Sequence, residues 1–311
     1  MKIDFQSVLT KEEAAARSLR ATYAKYGYAQ YRMSKFEEYD LYVKNKDFLV
    51  SENVITFTDT DGRLMALKPD VTLSIIKNVT APTEGVKKVY YHENVYRVSK
   101  GTKSFKEIAQ VGLEVLGDVD EKSIAEVLFL AAKSLESVSE EYVLEVSHQD
   151  IVAGVLQAFG ASGEGRKKIV RALGEKNAQA VENACKEDGM DEAKTQTVRK
   201  LVTTYGKPQK VAAELEGFVV DETTGRAVAE LKSLLSRLGT FGVSDKICVD
   251  FSVVNDMGYY NGVAFKGFVN GIPTGVLSGG QYDGLMKKMK KSAKAIGFAV
   301  YLDELERLGE E

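Results

Sequence analysis

The side chains best suited to hold a small polar ligand lie on one face of a strand that we predict between Glu107 and Leu116. Apolar residues alternate there with Gln110, Gly112 and Glu114. Alternate residues of a strand face opposite sides, so the carboxamide and the carboxylate lie away from the apolar core. A solvent-facing sheet surface would more usually carry lysine or threonine. The pattern therefore favours the floor of a polar site.

A pair of tyrosines forms a second candidate for this site. Tyr259 and Tyr260 stand between Gly258 and Gly262, and glycine leaves room for a ligand or a second backbone to approach. Because a strand alternates its side chains, we predict that Tyr259 and Tyr260 point to opposite faces, one ring toward a core and the other toward a cleft. An ordinary hairpin strand with buried tyrosines would give the same pattern, because turn residues and buried tyrosine are common.

The third candidate is the segment Lys68-Pro69-Asp70-Val71-Thr72. Proline is favoured at the first helical position, so a helix is expected over residues 70–79. An acid in a first helical turn most often only compensates the helix dipole. A role for Asp70 in ligand binding therefore needs further support.

Other patterns predict the elements that would position these groups. We expect a capped helix over 9–26, a hairpin over 54–67, paired strands over 89–97 and 107–116, a helix from Asp118 to about Ser137, a strand over 142–147, a largely helical region over 149–238, and strands over 246–253 and 272–278. Asp61-Gly62 and Asn270-Gly271 supply hairpin turns. The hairpin pairs are antiparallel.

Composition limits the class of protein. The 311 residues, 44% of them hydrophobic, suffice for a sizeable core. The formal net charge of -3 gives no overall basic field for nucleic acid. A dense lysine run over residues 287–294 fits a solvated helical face, with a local nucleic-acid patch as the alternative.

Cysteine usage and hydropathy indicate a reducing compartment. Cys185 and Cys248 are the only cysteines, and with two histidines they offer neither a disulfide framework nor a metal-ligand cluster. The sequence shows no export signal and no apolar run long enough to span a membrane. We therefore expect a cytoplasmic protein.

The tyrosine block resembles the histidine-specific segment of histidyl-tRNA synthetases, in which an arginine, two residues, an acid and Tyr-Tyr precede a Gly-x-Val-Phe strand. Asn255 stands in place of the catalytic arginine, and Gly258 in place of the aspartate. Five more segments are similar to that family: Gly27 to Glu37 (first, dimer-forming motif, with Ser34 for proline), Lys68 to Thr72 (Arg-Pro-Glu-x-Thr), Tyr96-Arg97 (second motif), Gly279 to Leu285 (Gly-Gly-Arg-Tyr-Asp-Gly-Leu, with Gln281 for arginine) and Ala295 to Glu304 (third motif).

Several groups that handle ATP in that family are absent. The third motif ends Gly-x-Glu-Arg in synthetases, and its arginine clamps the γ-phosphate, whereas this chain has Glu304 at that position. The loop of the second motif lacks an arginine near Ser104 and has Ser99 in place of an acid. The resemblance thus keeps a histidine pocket and loses much of the ATP clamp.

The resemblance implies an α+β fold, a class II aminoacyl-tRNA synthetase-like antiparallel sheet flanked by helices. It implies one core over residues 1–311, an inserted helical region over about 149–240, no C-terminal anticodon-binding domain, and a homodimer formed through the first motif. The implied histidine-binding residues are Asp70, Thr72 and Gln110 at the amino group, Glu114, Tyr260 and Tyr282 at the imidazole, and Tyr259 and Arg97, of which Arg97 grips ATP and the carboxylate in synthetases.

A kept pocket without its catalyst is typical of the regulatory subunits of short-form ATP phosphoribosyltransferase, the first enzyme of histidine biosynthesis. This resemblance implies a non-catalytic subunit that activates a separate catalytic subunit and senses L-histidine within a hetero-oligomer. It implies no cofactor, no metal, no nucleic acid and no membrane. The alternatives are a histidyl-tRNA synthetase fragment or amino-acid-activating paralogue, which the retained Arg97 favours, and a tRNA-sensing module.

Overall fold

The computed structural model describes residues 9–46, 49, 54–82, 84–99, 102–254 and 259–307. Two positions singled out in the sequence, Asn255 and Gly258, lie outside the described residues. Within these ranges the chain forms a large, mainly antiparallel sheet flanked by helices. The predicted α+β class is therefore confirmed.

The N-terminal part contains a capped helix and a small separate sheet. Its elements are α1 (Lys11–Lys25), β1 (Ala29–Gln30), β2 (Phe36–Glu38), α2 (Tyr39–Lys44), β3 (Thr56–Thr58) and β4 (Leu64–Leu67). Thr10 begins α1 with a capping box, in which its hydroxyl accepts from the Glu13 N–H and the Glu13 carboxylate accepts from the Thr10 N–H. Strands β3 and β4 form the predicted hairpin, and β2 completes a three-stranded sheet.

The central part supplies the longest strands. Its elements are α3 (Thr72–Asn78), β5 (Val86–Val98), β6 (Phe105–Gly117), α4 (Glu121–Glu136) and β7 (Tyr142–His148). Two predicted helix starts need correction. Pro69 precedes α3 instead of opening it, and the Asp70 carboxylate accepts from the Leu73 N–H at 2.8 Å. Helix α4 is capped by Asp120 and not by Asp118.

Residues 149–240 fold mainly as helices. They comprise α5 (Gln149–Ala158), α6 (Gly163–Gly174), α7 (Ala178–Glu187), α8 (Glu192–Thr203), β8 (Tyr205–Gly206), α9 (Pro208–Val211) and α10 (Glu222–Thr240). Strand β8 returns to the large sheet as its edge strand. This helical region is therefore joined to the sheet and is not a free appendage.

The C-terminal part completes the large sheet. Its elements are β9 (Ile247–Asp250), β10 (Asn261–Val269), β11 (Leu277–Gln281), α11 (Asp283–Lys288), β12 (Lys294–Tyr301) and α12 (Leu302–Leu305). The strand order is β1-β5-β6-β12-β11-β10-β7-β9-β8, and in the part of the chain that the structure describes only β1-β5 and β7-β9 pair in parallel. Chain segments far apart in sequence thus become neighbours at the centre of the sheet.

The two faces of this sheet carry different side chains. Leu113 and Val115 of β6 pack into the main hydrophobic core beside α1, α4 and α10. The other face carries Gln110, Gly112 and Glu114, next to a second apolar cluster around α3 and α11. The polar side of β6 that the sequence predicts is therefore present, but the second apolar cluster covers it, so it does not face solvent.

Within the described residues, no helix is long and apolar enough to cross a membrane.

Candidate functional site

One buried carboxylate joins three separate elements on the polar face of the sheet. The Glu114 side chain is on β6, and the residue is 2% exposed. Its Oε1 accepts from the Thr72 hydroxyl of α3 at 2.8 Å, and its Oε2 accepts from the Tyr282 hydroxyl, next to α11, at 2.7 Å. Because each carboxylate oxygen has a second lone pair, Glu114 can still accept hydrogen bonds from a ligand.

A glycine on the neighbouring strand makes room for this carboxylate. Gly297 of β12 is the register partner of Glu114. A Cβ at Gly297 would run into the Glu114 carboxylate. The sheet therefore fixes the position of the acid through the absence of a side chain opposite it.

Burial disfavours the ionisation of both Glu114 and Asp70 at this site. Burial, with a smaller contribution from the nearby Asp70 charge, raises the pKa of Glu114 to about 8 against the opposing effect of the hydrogen bonds from Tyr282 and Thr72. Burial also raises the pKa of Asp70, against the Leu73 N–H and the Arg97 guanidinium. The site is thus rich in acceptors and suits a ligand that brings N–H groups or positive charge.

Arg97 lies beside Asp70 and holds the segment that carries it. The Arg97 Nε donates to the backbone oxygen of Pro69 at 3.0 Å. The ion pair between Lys68 and Glu93, 2.8 Å from Nζ to Oε2, ties the same segment to β5. In this structure Arg97 therefore positions Asp70.

The prediction that Tyr259 and Tyr260 face opposite sides is wrong. Both precede β10, and their ring centroids are 4.8 Å apart with an interplanar angle of 73°. The Tyr259 ring is also 6.1 Å from that of Tyr282, and its hydroxyl shares a hydrogen bond with Thr72. Strand alternation does not apply to this pair because both residues precede the first residue of β10, Asn261.

Gln110 lies at the far end of the same floor. It is 3% exposed and four residues before Glu114 on β6, a distance of about 13 Å at the usual rise per residue. Together, Asp70, Thr72, Arg97, Gln110, Glu114, Tyr259, Tyr260 and Tyr282 surround one region, which we call the Glu114 pocket. The structure thus brings the eight residues named from the sequence to one side of the sheet, and their role in histidine binding stays a prediction.

Tyr91 also lies in the Glu114 pocket, although the sequence analysis did not predict it. It is 2% exposed, and its hydroxyl lies over Gly112, between Gln110 and Glu114. Tyr91 is the register partner of Gly112 on β5, and burial together with the Glu114 and Asp70 charges raises its pKa well above the ordinary value. The glycine in Gln-x-Gly-x-Glu was the available signal, because it leaves space that a cross-strand aromatic ring fills.

The position of the missing arginine in the third motif is occupied by a paired acid. The Glu304 Oε2 accepts from the Thr274 hydroxyl at 2.6 Å and is 3.0 Å from Nη1 of Arg307. Arg307 offsets part of the repulsion that Glu304 would exert on a phosphate. Among the described residues, no cluster of histidine, cysteine, aspartate and glutamate could hold a metal ion.

Comparison with known proteins agrees with the resemblance seen in the sequence. The family described as histidyl-tRNA synthetase matches residues 6–305. An ATP phosphoribosyltransferase regulatory subunit of Ruminiclostridium cellulolyticum is 26% identical over 300 residues, with 95% of this chain and 71% of the relative covered. One of Caldanaerobacter subterraneus is 28% identical, with 92% and 75% covered. The resemblance to this group is thereby confirmed.

Solved structures confirm the class II synthetase-like fold. A protein described as an ATP phosphoribosyltransferase regulatory subunit/histidyl-tRNA synthetase, from Bacillus halodurans, superposes with a TM-score of 0.86 at 25% identity, covering 100% of this chain and 82% of that one. The ATP phosphoribosyl transferase (HisG:HisZ) complex from Thermotoga maritima contains a chain with a TM-score of 0.72 at 18% identity, covering 96% and 97%. At that identity the second likeness concerns the fold alone.

Proposed function

Because this chain belongs to the histidyl-tRNA synthetase family, we propose that it binds L-histidine in the Glu114 pocket and acts as a non-catalytic regulatory subunit of an ATP phosphoribosyltransferase. The relatives that carry the regulatory name support the second part. The observation that carries the first part is the buried Glu114 carboxylate held by Thr72 and Tyr282. A pocket with this many acceptors matches a ligand that has an ammonium group and an imidazole.

In this proposal the imidazole ring of histidine lies between Glu114 and the tyrosines. A buried imidazole needs a partner for each ring nitrogen. The Glu114 carboxylate provides the acceptor, and we assign the donor to the Tyr260 hydroxyl, because the Tyr282 proton is already donated to Glu114. The ammonium group would lie nearer Asp70 and Gln110, with the Thr72 hydroxyl as an additional acceptor. The Thr72 proton is already donated to Glu114, which limits Thr72 to accepting from the ligand.

Amino-acid activation is not part of the proposed function. Asn255 cannot supply the guanidinium that the synthetase arginine supplies, and Glu304 brings an acid where the γ-phosphate would need a cation. Losing one preorganised hydrogen-bond donor typically removes about 2.7 to 4 kcal/mol of transition-state stabilisation. A histidine-dependent ATP–pyrophosphate exchange well above background would contradict this assignment.

The proposed partner is the catalytic subunit of a short-form ATP phosphoribosyltransferase, in the cytoplasm. Regulation requires that histidine bind one state of the complex more tightly than another, and a coupling of about 1 to 3 kcal/mol changes affinity roughly 5- to 150-fold. Co-elution of the two purified proteins in gel filtration, followed by calorimetry with L-histidine, tests both parts. Failure to co-elute would contradict the partner, and absence of histidine binding would contradict the pocket.

We also propose a homodimer formed through the first motif. Phe36 and Phe57 are exposed on the three-stranded sheet by 50% and 38%, and their rings are 5.4 Å apart in an edge-to-face arrangement. Exposed aromatic pairs of this kind mark surfaces that a protein partner covers. Light scattering of Phe36→Glu should show a monomer, and an unchanged dimer would remove this surface from the interface.

A further inference from the structure

A second cavity opens on the same face of the sheet as the Glu114 pocket. It encloses about 510 Å³ above β7, β10 and β11, between α6 on one side and the end of β9 on the other. Of the eight residues of the Glu114 pocket, Tyr260 alone lines it. The cavity is therefore a neighbour of that pocket and shares one wall with it. We call it the Lys266 cavity, after the lysine on its floor.

Two opposite charges lie next to each other on this floor without pairing. Lys266 of β10 and Glu145 of β7 are register partners. The Lys266 ammonium lies 5.3 Å from the centroid of the Phe268 ring, and among the described residues it forms no salt bridge. Glu145 instead pairs with Lys176, 3.3 Å from Oε1 to Nζ. A cation thus remains uncommitted beside a buried acid.

Glu145 belongs to a group of three charged side chains, with Lys176 and Asp250, whose net charge is negative when both carboxyl groups are ionised. Lys176 also lies 2.6 Å from Asp250, so one ammonium is shared by two carboxylates that are both largely buried. Burial and the nearby Asp250 raise the pKa of Glu145. A group with positive charge or N–H donors placed beside Glu145 would therefore be stabilised.

An unpaired acceptor lies in the same cavity. Gln149 is 3% exposed, and its Nε2 donates to the backbone oxygen of Val253 at 2.7 Å. That bond fixes the orientation of the amide, and its Oε1 has no hydrogen-bonding partner among the described residues. A buried acceptor without a partner is unfavourable, so a ligand that donates here would be bound more tightly.

From this arrangement we infer that the Lys266 cavity binds a second ligand that is a zwitterion, an α-amino acid other than the one in the Glu114 pocket. Its carboxylate pairs with Lys266, and its ammonium donates to Gln149 Oε1 and lies beside Glu145. Its side chain packs against the apolar surfaces of Phe268 and Val143. A phosphate dianion fits less well, because one lysine would have to offset both its charge and the acidic triad.

This site stands apart from the proposed histidine pocket and is tested separately. The full chain, saturated with L-histidine, is screened by thermal shift against each other common amino acid, and every hit is measured by calorimetry. L-Phenylalanine is compared with phenylalaninamide, which lacks the carboxylate, and with N-acetylphenylalanine, which lacks the ammonium. We expect one zwitterion to bind with a stoichiometry of one, and each single-charge analogue of it to bind at least about tenfold more weakly.

Two variants test which side chain binds each charged group of the ligand. Lys266→Met keeps the aliphatic stem and should weaken the zwitterion about tenfold while leaving its amide analogue and L-histidine unchanged. Gln149→Leu should weaken the zwitterion and spare the N-acetyl analogue. Lys287→Met, an exposed lysine of α11, is the matched control.

The inference is overturned if no amino acid binds beside histidine up to about 10 mM, or if the analogues and Lys266→Met bind as the zwitterion and wild type do. Loss of histidine binding in Glu114→Ala with the second ligand retained supports the separation of the two sites. A chain that binds the zwitterion but not histidine would refute the proposed function and leave this site standing.

Discussion

The carboxylate of Glu114 lies against Gly297, its register partner on β12, in space that a methyl group would fill. The acid at the centre of the pocket thus depends on a glycine 183 residues later in the chain. Neither residue has an unusual backbone conformation from which the contact between them could be predicted. The relationship makes Gly297 a sensitive test of where Glu114 must be.

Gly297→Ala should displace the Glu114 carboxylate and weaken histidine binding. The new Cβ would occupy the place of the acid, and a ligand N–H left without its acceptor costs roughly 1 to 3 kcal/mol, which corresponds to a several-fold to hundredfold loss of affinity measured by calorimetry. Gly284→Ala is the control, because Gly284 is exposed on α11 and a Cβ there meets nothing within 4 Å. Equal affinity in both variants would argue against Glu114 as a ligand contact.

Tyr91→Phe tests the residue that sequence reasoning missed. The change removes only the hydroxyl that lies between Gln110 and Glu114, and loss of one hydrogen bond to the ligand typically costs about 0.5 to 1.5 kcal/mol. We expect a threefold to tenfold weaker affinity for L-histidine by calorimetry. Tyr23→Phe removes a hydroxyl on the opposite face of the sheet, bonded to Ser134, and should leave the affinity unchanged even if it lowers stability.

The contribution of Glu114 to the stability of the ligand-free protein should fall as pH rises from about 4.5 to about 8. Burial raises the pKa of Glu114 from 4.5 to about 8, so the folded state binds a proton more tightly than the unfolded state across that window. The contribution is present below the unfolded pKa and is lost as pH rises through the folded pKa. Glu114→Gln cannot titrate and should show a flatter dependence in urea unfolding at pH 6 and pH 8.

Burial also raises the pKa values of Asp70 and Glu145, so both groups change stability with pH in the same direction as Glu114. Both groups remain in the Glu114→Gln variant. The informative quantity is therefore the difference between wild type and variant. Identical pH slopes would show that Glu114 titrates normally in the folded protein.

Much of the fold and part of the site follow from the sequence for physical reasons that can be named. Period-two alternation on β6 put Gln110 and Glu114 on one face, and the Asp-Gly turn predicted the β3-β4 hairpin. The contacts of Glu114 with Thr72 and Tyr282 join residues far apart in the chain. Spacing alone cannot give such contacts, and only the family resemblance brought these residues together beforehand.

The errors also have physical causes. The alternation rule places Tyr259 and Tyr260 on opposite faces only if they belong to a strand. In the structure both residues precede β10, and their rings pack against each other. Tyr91 was missed because alternation in Tyr90-Tyr91 does not say which ring is on the polar side until the pairing with Gly112 is known. Cross-strand register is tertiary information that a single sequence does not contain.

Whether Glu114 carries a histidine signal to a separate enzyme is decided by comparing wild type with Glu114→Ala in the presence of a short-form ATP phosphoribosyltransferase catalytic subunit. Phosphoribosyl-ATP formation is followed while L-histidine is titrated, with wild type or variant present at equal concentration. We expect both proteins to activate the catalytic subunit equally, and the variant to need at least about tenfold more histidine for half inhibition. Identical histidine inhibition with both proteins, or no activation by wild type, would contradict it.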